Sequence, residues 1–253
     1  MANYGYVIFF SLIGGVFSLI GGILLLSHKK LAANFGQYAT PFAGGALLAA
    51  VFLDLLKDGL EESVPGTVLT ATLVGIVVFF LAEGFLSWFQ HSHSKDERAD
   101  TTVPLIIVGD TIHNAMDGVA IAAAFLVSVP AGIVTTLAVA AHEIPQEIGD
   151  FGLLLSRGMS RRKVLFVNLM SALATTLMAV ITYALGSAEK IPTGLLLGVS
   201  AGFLLYIATS DIIPTIHKQR QRGHRPFDLQ ALLLVLGVIT VALSIELAHL
   251  IVS

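Results

Sequence analysis

Asp110, His113, Asn114 and Asp117 are spaced i, i+3, i+4, i+7. On a helix that spacing puts all four side chains on one face. Further along, His142, Glu143, Gln146, Glu147 and Asp150 cover a neighbouring stripe of a second helix. The two stripes hold five carboxylates, two imidazoles and no Lys or Arg. Unpaired carboxylates inside a protein must be protonated, hydrated or bound to a cation. A divalent ion satisfies several at once. The imidazoles tilt the choice toward a transition metal and away from calcium or magnesium. The chain has no cysteine, so neither a thiolate site nor a disulfide is available.

Both stripes lie in apolar stretches long enough to span a bilayer. An ionisable group at the bilayer centre costs about 2.5–3.5 kcal/mol on insertion scales, and such groups mark ion pathways. The whole composition agrees. The 253 residues are 55% hydrophobic and 12% charged, with a mean hydropathy of +0.85. Soluble domains carry about 25% charged residues, so an all-α integral membrane protein is predicted. Continuous rather than alternating apolar runs exclude a β-barrel. A net charge of −3 argues against nucleic acid.

Apolar runs at 5–27, 38–60, 67–89, 103–128, 131–156, 164–187, 191–216 and 227–251 predict eight membrane helices in a single transmembrane domain, with a loop at 90–101. The opening Met-Ala-Asn-Tyr-Gly-Tyr lacks a basic segment, so helix 1 reads as a membrane helix and not a cleaved signal. The loops after helices 1, 3, 5 and 7 hold 12 of the 14 Lys and Arg residues, leaving Lys57 and Lys190 on the other face. The positive-inside rule makes those odd loops cytoplasmic and puts both termini outside. A faint repeat links helix 2, Gly45 to Asp54, with helix 7, Gly202 to Asp211. In the assigned topology these helices run in opposite directions, which predicts an inverted repeat of helices 1–3 and 6–8.

Other polar groups read less sharply. Asp54, Asp58, Glu61 and Glu62 could draw cations to an outer entrance or simply form a solvated helix end. Asp211 and His217 could line an exit, although His217 also fits an interfacial residue. His91 and His93 suit a solvated loop better than a metal collector. Glu83 and Glu246 are intramembrane carboxylates for which burial or snorkelling suffices, and Glu246 can pair with His249.

The His-Asn-x-x-Asp-Gly of helix 4 and the His-Glu-Ile-Pro-x-Glu-Ile-Gly-Asp-Phe of helix 5 resemble the signatures of the ZIP (Zrt/Irt-like) divalent metal transporters. The nearest likeness is to the subfamily whose fifth helix reads His-Glu-x-Pro-His-Glu. Asn168 and Ser171 in helix 6, and Gly202, Tyr206 and Asp211 in helix 7, extend it. The resemblance implies a 3+2+3 helix arrangement. It also implies alternating access, with zinc-type ions moving toward the cytoplasm. Carried over by motif, His113, Asn114, Asp117, His142, Glu143 and Gln146 would line the metal site, and Asp117 would be shared between neighbouring ions. Asp110, Glu147 and Asp150 would stand behind them. Gln146 replaces the subfamily's His and offers a carbonyl oxygen without charge. Helix 6 brings no carboxylate near Asn168 or Ser171, so one strong and one weak site are expected.

The rival reading is an intramembrane zinc hydrolase, because His142-Glu143-x-x-Gln146 approaches the H-E-x-x-H helix of zincins. That motif needs a second His where Gln146 stands, and Pro145 lies inside it. No prosthetic group is expected. Zn2+ is the leading cargo, with Fe2+, Mn2+, Co2+ and Cd2+ also suited to these donors. The lipid bilayer is the expected surround, and monomer or homodimer is open. Short loops point to a prokaryotic plasma membrane.

Overall fold

The computed structural model describes residues 2–93, 102–221 and 229–252. No strand occurs among them. Residues this apolar cannot leave backbone polar groups unpaired in lipid, so each run closes its own hydrogen bonds as a helix. α1 comprises Tyr4–Val16 and Leu19–Ser27. α2 runs Lys29–Ala50, widens into a π-helical turn at Val51–Leu55 and ends with Leu56–Glu62. α3 is Pro65–His93, α4 Thr102–Val127, α5 Val129–Ser156 and α6 Arg161–Ser187. α7 runs Thr193–Ile207, widens at Ala208–Ile212 and continues as Ile213–Gln221; α8 is Leu229–Val252. The polar segment before position 38 is already helical, so α2 starts at Lys29.

Six of these helices are long and apolar enough to cross a membrane. The other two are α4 and α5, 26 and 28 residues long, whose apolar character is diluted by the candidate ligands. They are tolerated because their polar faces are covered by neighbouring helices and not by lipid. Leu69, Leu73, Val77 and Phe80 of α3, Phe166 and Leu177 of α6, and Leu243 and Leu247 of α8 face outward instead.

The faint repeat extends to backbone geometry and packing. Each π-helical turn carries its Asp at the fourth position, Asp54 in one and Asp211 in the other. α2 crosses α8 where a Cβ on Gly45 would strike the Leu234 carbonyl and one on Gly237 would strike the Phe42 carbonyl. α7 crosses α3 in the same way, Gly202 on the Thr72 carbonyl and Gly75 on the Val199 carbonyl. In all four cases the struck carbonyl lies three residues before the opposing glycine. Two crossings built to one register, in halves running oppositely, are the mark of an inverted repeat.

The most extensive helix contacts fall within two groups, α1 with α4, α5 and α6, and α2 with α3, α7 and α8. The groups meet chiefly where α2 crosses α5 and α4 crosses α7.

Candidate metal centre

α4 and α5 are joined by Ser128 alone. Its extended backbone and its side chain, which accepts a 3.1 Å hydrogen bond from the Ala131 amide, start α5 at once. A hairpin this tight sets the two helices antiparallel and in fixed register. His113 and Asp117 then fall near the middle of α4, level with His142 and Glu143 near the middle of α5.

These four side chains converge. His113 Nε2 lies 3.2 Å from His142 Nε2, 3.2 Å from Glu143 Oε1 and 3.7 Å from Asp117 Oδ2. His142 Nε2 lies 3.3 Å from Asp117 Oδ2 and 3.8 Å from Glu143 Oε1. One donor atom from each residue fits within 4.8 Å of all the others. A tetrahedral ion with bonds of about 2.0–2.2 Å spaces its ligand atoms roughly 3.3–3.6 Å apart. The cluster therefore has nearly the size of a zinc coordination shell. All four residues are buried, and none of the carboxylate oxygens of Asp117 and Glu143 meets a donor in hydrogen-bond geometry. Buried oxygens in that condition are costly unless a cation answers them.

Surrounding groups orient the donors. His142 Nδ1 lies 3.2 Å from the Ala138 carbonyl, which can only accept. The Nδ1–H is therefore fixed and the Nε2 lone pair points into the cluster. Pro145 lacks the amide that would bind the Ala141 carbonyl, loosening α5 beside the site. Phe79 and Phe203 set their edges against the His113 ring, with centroids 6.4 and 5.4 Å away.

Asn114 is buried beside the cluster and makes hydrogen bonds of its own. Its Nδ2 donates to the Asp110 carbonyl at 3.1 Å and to Asp110 Oδ1 at 3.0 Å, and its Oδ1 accepts from Thr175 Oγ1 at 3.0 Å. The amide thus braces α4 against α6. Gln146 lines one cavity with His113 and the other with His142, in both cases together with Asp150 and Asp211. Glu147 is 1% exposed, with both oxygens lacking a partner. Asp54 is buried and accepts from Thr135 Oγ1 at 2.9 Å. Asp58 is half-buried, while His217 and Glu246 are exposed and line neither of these cavities. Glu83 is exposed and accepts from the Tyr206 hydroxyl at 2.5 Å. α3 continues through His91 and His93, but their side chains, like that of His249, lie outside the described residues. Thr135 and Thr175 escaped the sequence reading because a Thr in an apolar helix usually bonds its own backbone.

Two cavities reach the cluster from the end of the molecule that carries most of the Lys and Arg. One, of about 390 Å³, is lined by His113, Asp110, Gln146, Asp150, Glu83 and Asp211 among others. The second, about 240 Å³, has His142, Pro145, Gln146, Asp150 and Asp211 in its wall. Toward the opposite end the interface is filled with Leu47, Val51, Leu55, Ala120, Ala124, Leu197, Phe203 and Leu204.

A helical membrane protein with a buried cluster of four residues that could hold a metal ion is the class that fold and site define. The zincin pattern is incomplete here, since Gln146 stands where a second imidazole would be and Pro145 lies inside the segment. The chain belongs to the ZIP zinc transporter family, whose profile matches residues 90–245, more than half of it. It is thus a transporter-family protein. It is 39% identical to zinc transporter ZIP10 of Danio rerio over 137 residues, covering 51% of this chain and 16% of the relative. It is 35% identical to zinc transporter foi of Drosophila melanogaster over 148 residues, 58% of the chain and 20% of the relative. Zinc transporter ZIP4 of Homo sapiens is 41% identical over 116 residues, 46% of the chain and 18% of the relative. The matches span a fifth or less of these relatives' lengths.

Proposed function

We propose that this chain carries Zn2+ across the membrane toward the cytoplasm by alternating access, with His113, Asp117, His142 and Glu143 as the ion's central ligands. The observation that carries the reading is the four-donor cluster at mid-span, joined to cavities on one side and packed shut on the other. That arrangement suits an inward-open state. The positive-inside pattern supports the direction, with the cavity mouth cytoplasmic and both termini outside. The relatives' names support zinc as cargo, and the same donors suit Fe2+, Mn2+, Co2+ and Cd2+. Gln146 would serve as a weak second-site ligand, with Asp110 and Asp150 guiding the ion outward from the cluster. Asp211 would stand at the exit and Asp54 and Asp58 at the entrance. A prokaryotic plasma membrane rests on loop length alone, and the named relatives are animal proteins.

The test is zinc uptake into proteoliposomes containing the purified protein, beside Asp117→Ala and His142→Ala. Saturable uptake lost in both variants supports the reading. Absence of uptake for zinc, iron, manganese and cadmium alike removes it.

A further inference from the structure

Thr135 and Asp54 make a side-chain hydrogen bond that joins the two helix groups, Thr135 from α5 and Asp54 from α2. The inverted repeat supplies its counterpart. His113 and His142 meet at the centre and stand in equivalent places on α4 and α5. Seven residues before His142 is Thr135; seven before His113 is Ile106. Asp54 and Asp211 are equivalent by their positions in the two π-helical turns. The partner of the Thr135–Asp54 pair is therefore Ile106–Asp211. Those two residues line the same open cavity at the inner end.

The two ends thus differ in both state and chemistry. At the outer end the pair is closed by a hydrogen bond 2.9 Å long, with Asp54 buried. At the inner end Asp211 is exposed and shares the wall of the open cavity with Ile106, which has no side-chain donor to offer it. An exchange of conformations between the repeats would break the outer bond and gain none at the inner end.

We infer that Thr135 and Asp54 form an outer latch that biases the protein toward the inward-open state. Thr135 acts as a positioning residue and touches no ion. The latch rests on the alternating-access reading above, but its test does not depend on zinc flux.

The chain's lack of cysteine makes the test direct. Ala82→Cys places a thiol in the wall of the inner cavity. Val51→Cys places one in the packed outer half, where Val51 is fully buried. Each reporter is combined with Thr135→Val, and labelling by a membrane-impermeant thiol reagent is timed from the corresponding side. The latch predicts slower inner and faster outer labelling, with the ratio of the outer to the inner rate raised by roughly three- to tenfold, as loss of one hydrogen bond would shift a two-state balance. Thr135→Ser restores the parent rates, and Asp54→Asn, which keeps an acceptor, falls between. Parent rates at both reporters in a folded Thr135→Val protein overturn the latch. So does a change of the same sign at both, which signals loosening and not a shift of state. If Thr135→Val does not fold, Asp54→Ala, which removes the acceptor, decides on the same two rates, and unchanged rates there overturn it too. Loss of zinc uptake in the parent reporters would instead count against the transport reading and leave the labelling ratio to judge the latch.

Discussion

His113 Nε2 and His142 Nε2 face each other at 3.2 Å across the α4–α5 interface. The tautomer of His142 is set by the Ala138 carbonyl, so its Nε2 brings a lone pair to that meeting. The two nitrogens, with Asp117 Oδ2 and Glu143 Oε1 beside them, form a group that could hold a metal ion. Replacing either imidazole leaves three donors and a gap. His113→Ala and His142→Ala should each weaken zinc binding by at least about tenfold, the scale on which even supporting groups around a metal act. Isothermal titration of the detergent-solubilised protein checks this, and unchanged binding in either variant would exclude that residue as a ligand.

Asn114 should behave differently from the ligands beside it. Its amide is committed to Asp110 and Thr175. Asn114→Ala is expected to slow transport while retaining a zinc site. Thr175→Val should give a milder version of the same defect. A loss of zinc binding in Asn114→Ala as deep as that in His142→Ala would assign Asn114 to direct coordination.

Gln146 lines both cavities and offers one neutral oxygen. Gln146→His adds an imidazole at the mouth of the site. Zinc affinity should rise several-fold and turnover should fall, because an ion held more tightly leaves more slowly. Concentration-dependent uptake separates the two effects. An unchanged apparent affinity would place Gln146 off the ion's route.

The glycine crossings carry a stability prediction. A side chain at Gly45 or Gly202 would drive into a backbone carbonyl of the opposing helix. Gly45→Val and Gly202→Val should each destabilise the protein by about 1–3 kcal/mol through overpacking. Gly84→Ala, with nothing within 4 Å of the added carbon, serves as the control. Thermal unfolding in detergent reads the difference; equal midpoints for Gly45→Val and the control would mean that the crossing relaxes freely.

Much of this was legible in the chain. The convergence of His113, Asp117, His142 and Glu143 was foreshadowed because a carboxylate or imidazole in an apolar run stands out by its cost. The antiparallel halves were readable because Lys and Arg mark alternate loops. What hid were groups whose role depends on a partner far away in sequence. Thr135 looks like any helical Thr until Asp54 is brought against it. Asn114 carries a ligand's position in the motif, and only the fold gives its amide to Asp110 and Thr175. The π-helical turns at Asp54 and Asp211 left no trace in composition, because one extra residue per turn does not alter an apolar run.

The single-residue link at Ser128 has a consequence for how metal preference is inherited. All four central donors fall between positions 113 and 143. They form one contiguous block of sequence, not a mosaic gathered from distant segments. A recombination event or a gene fusion that swaps this block exchanges the whole donor set in one step and leaves the flanking repeats intact. An insertion of even one residue at the link would rotate α5 by about 100° against α4 and scatter the donors. On the proposed ligand set the site can therefore move between backgrounds as one cassette, provided the length of the link at Ser128 is kept.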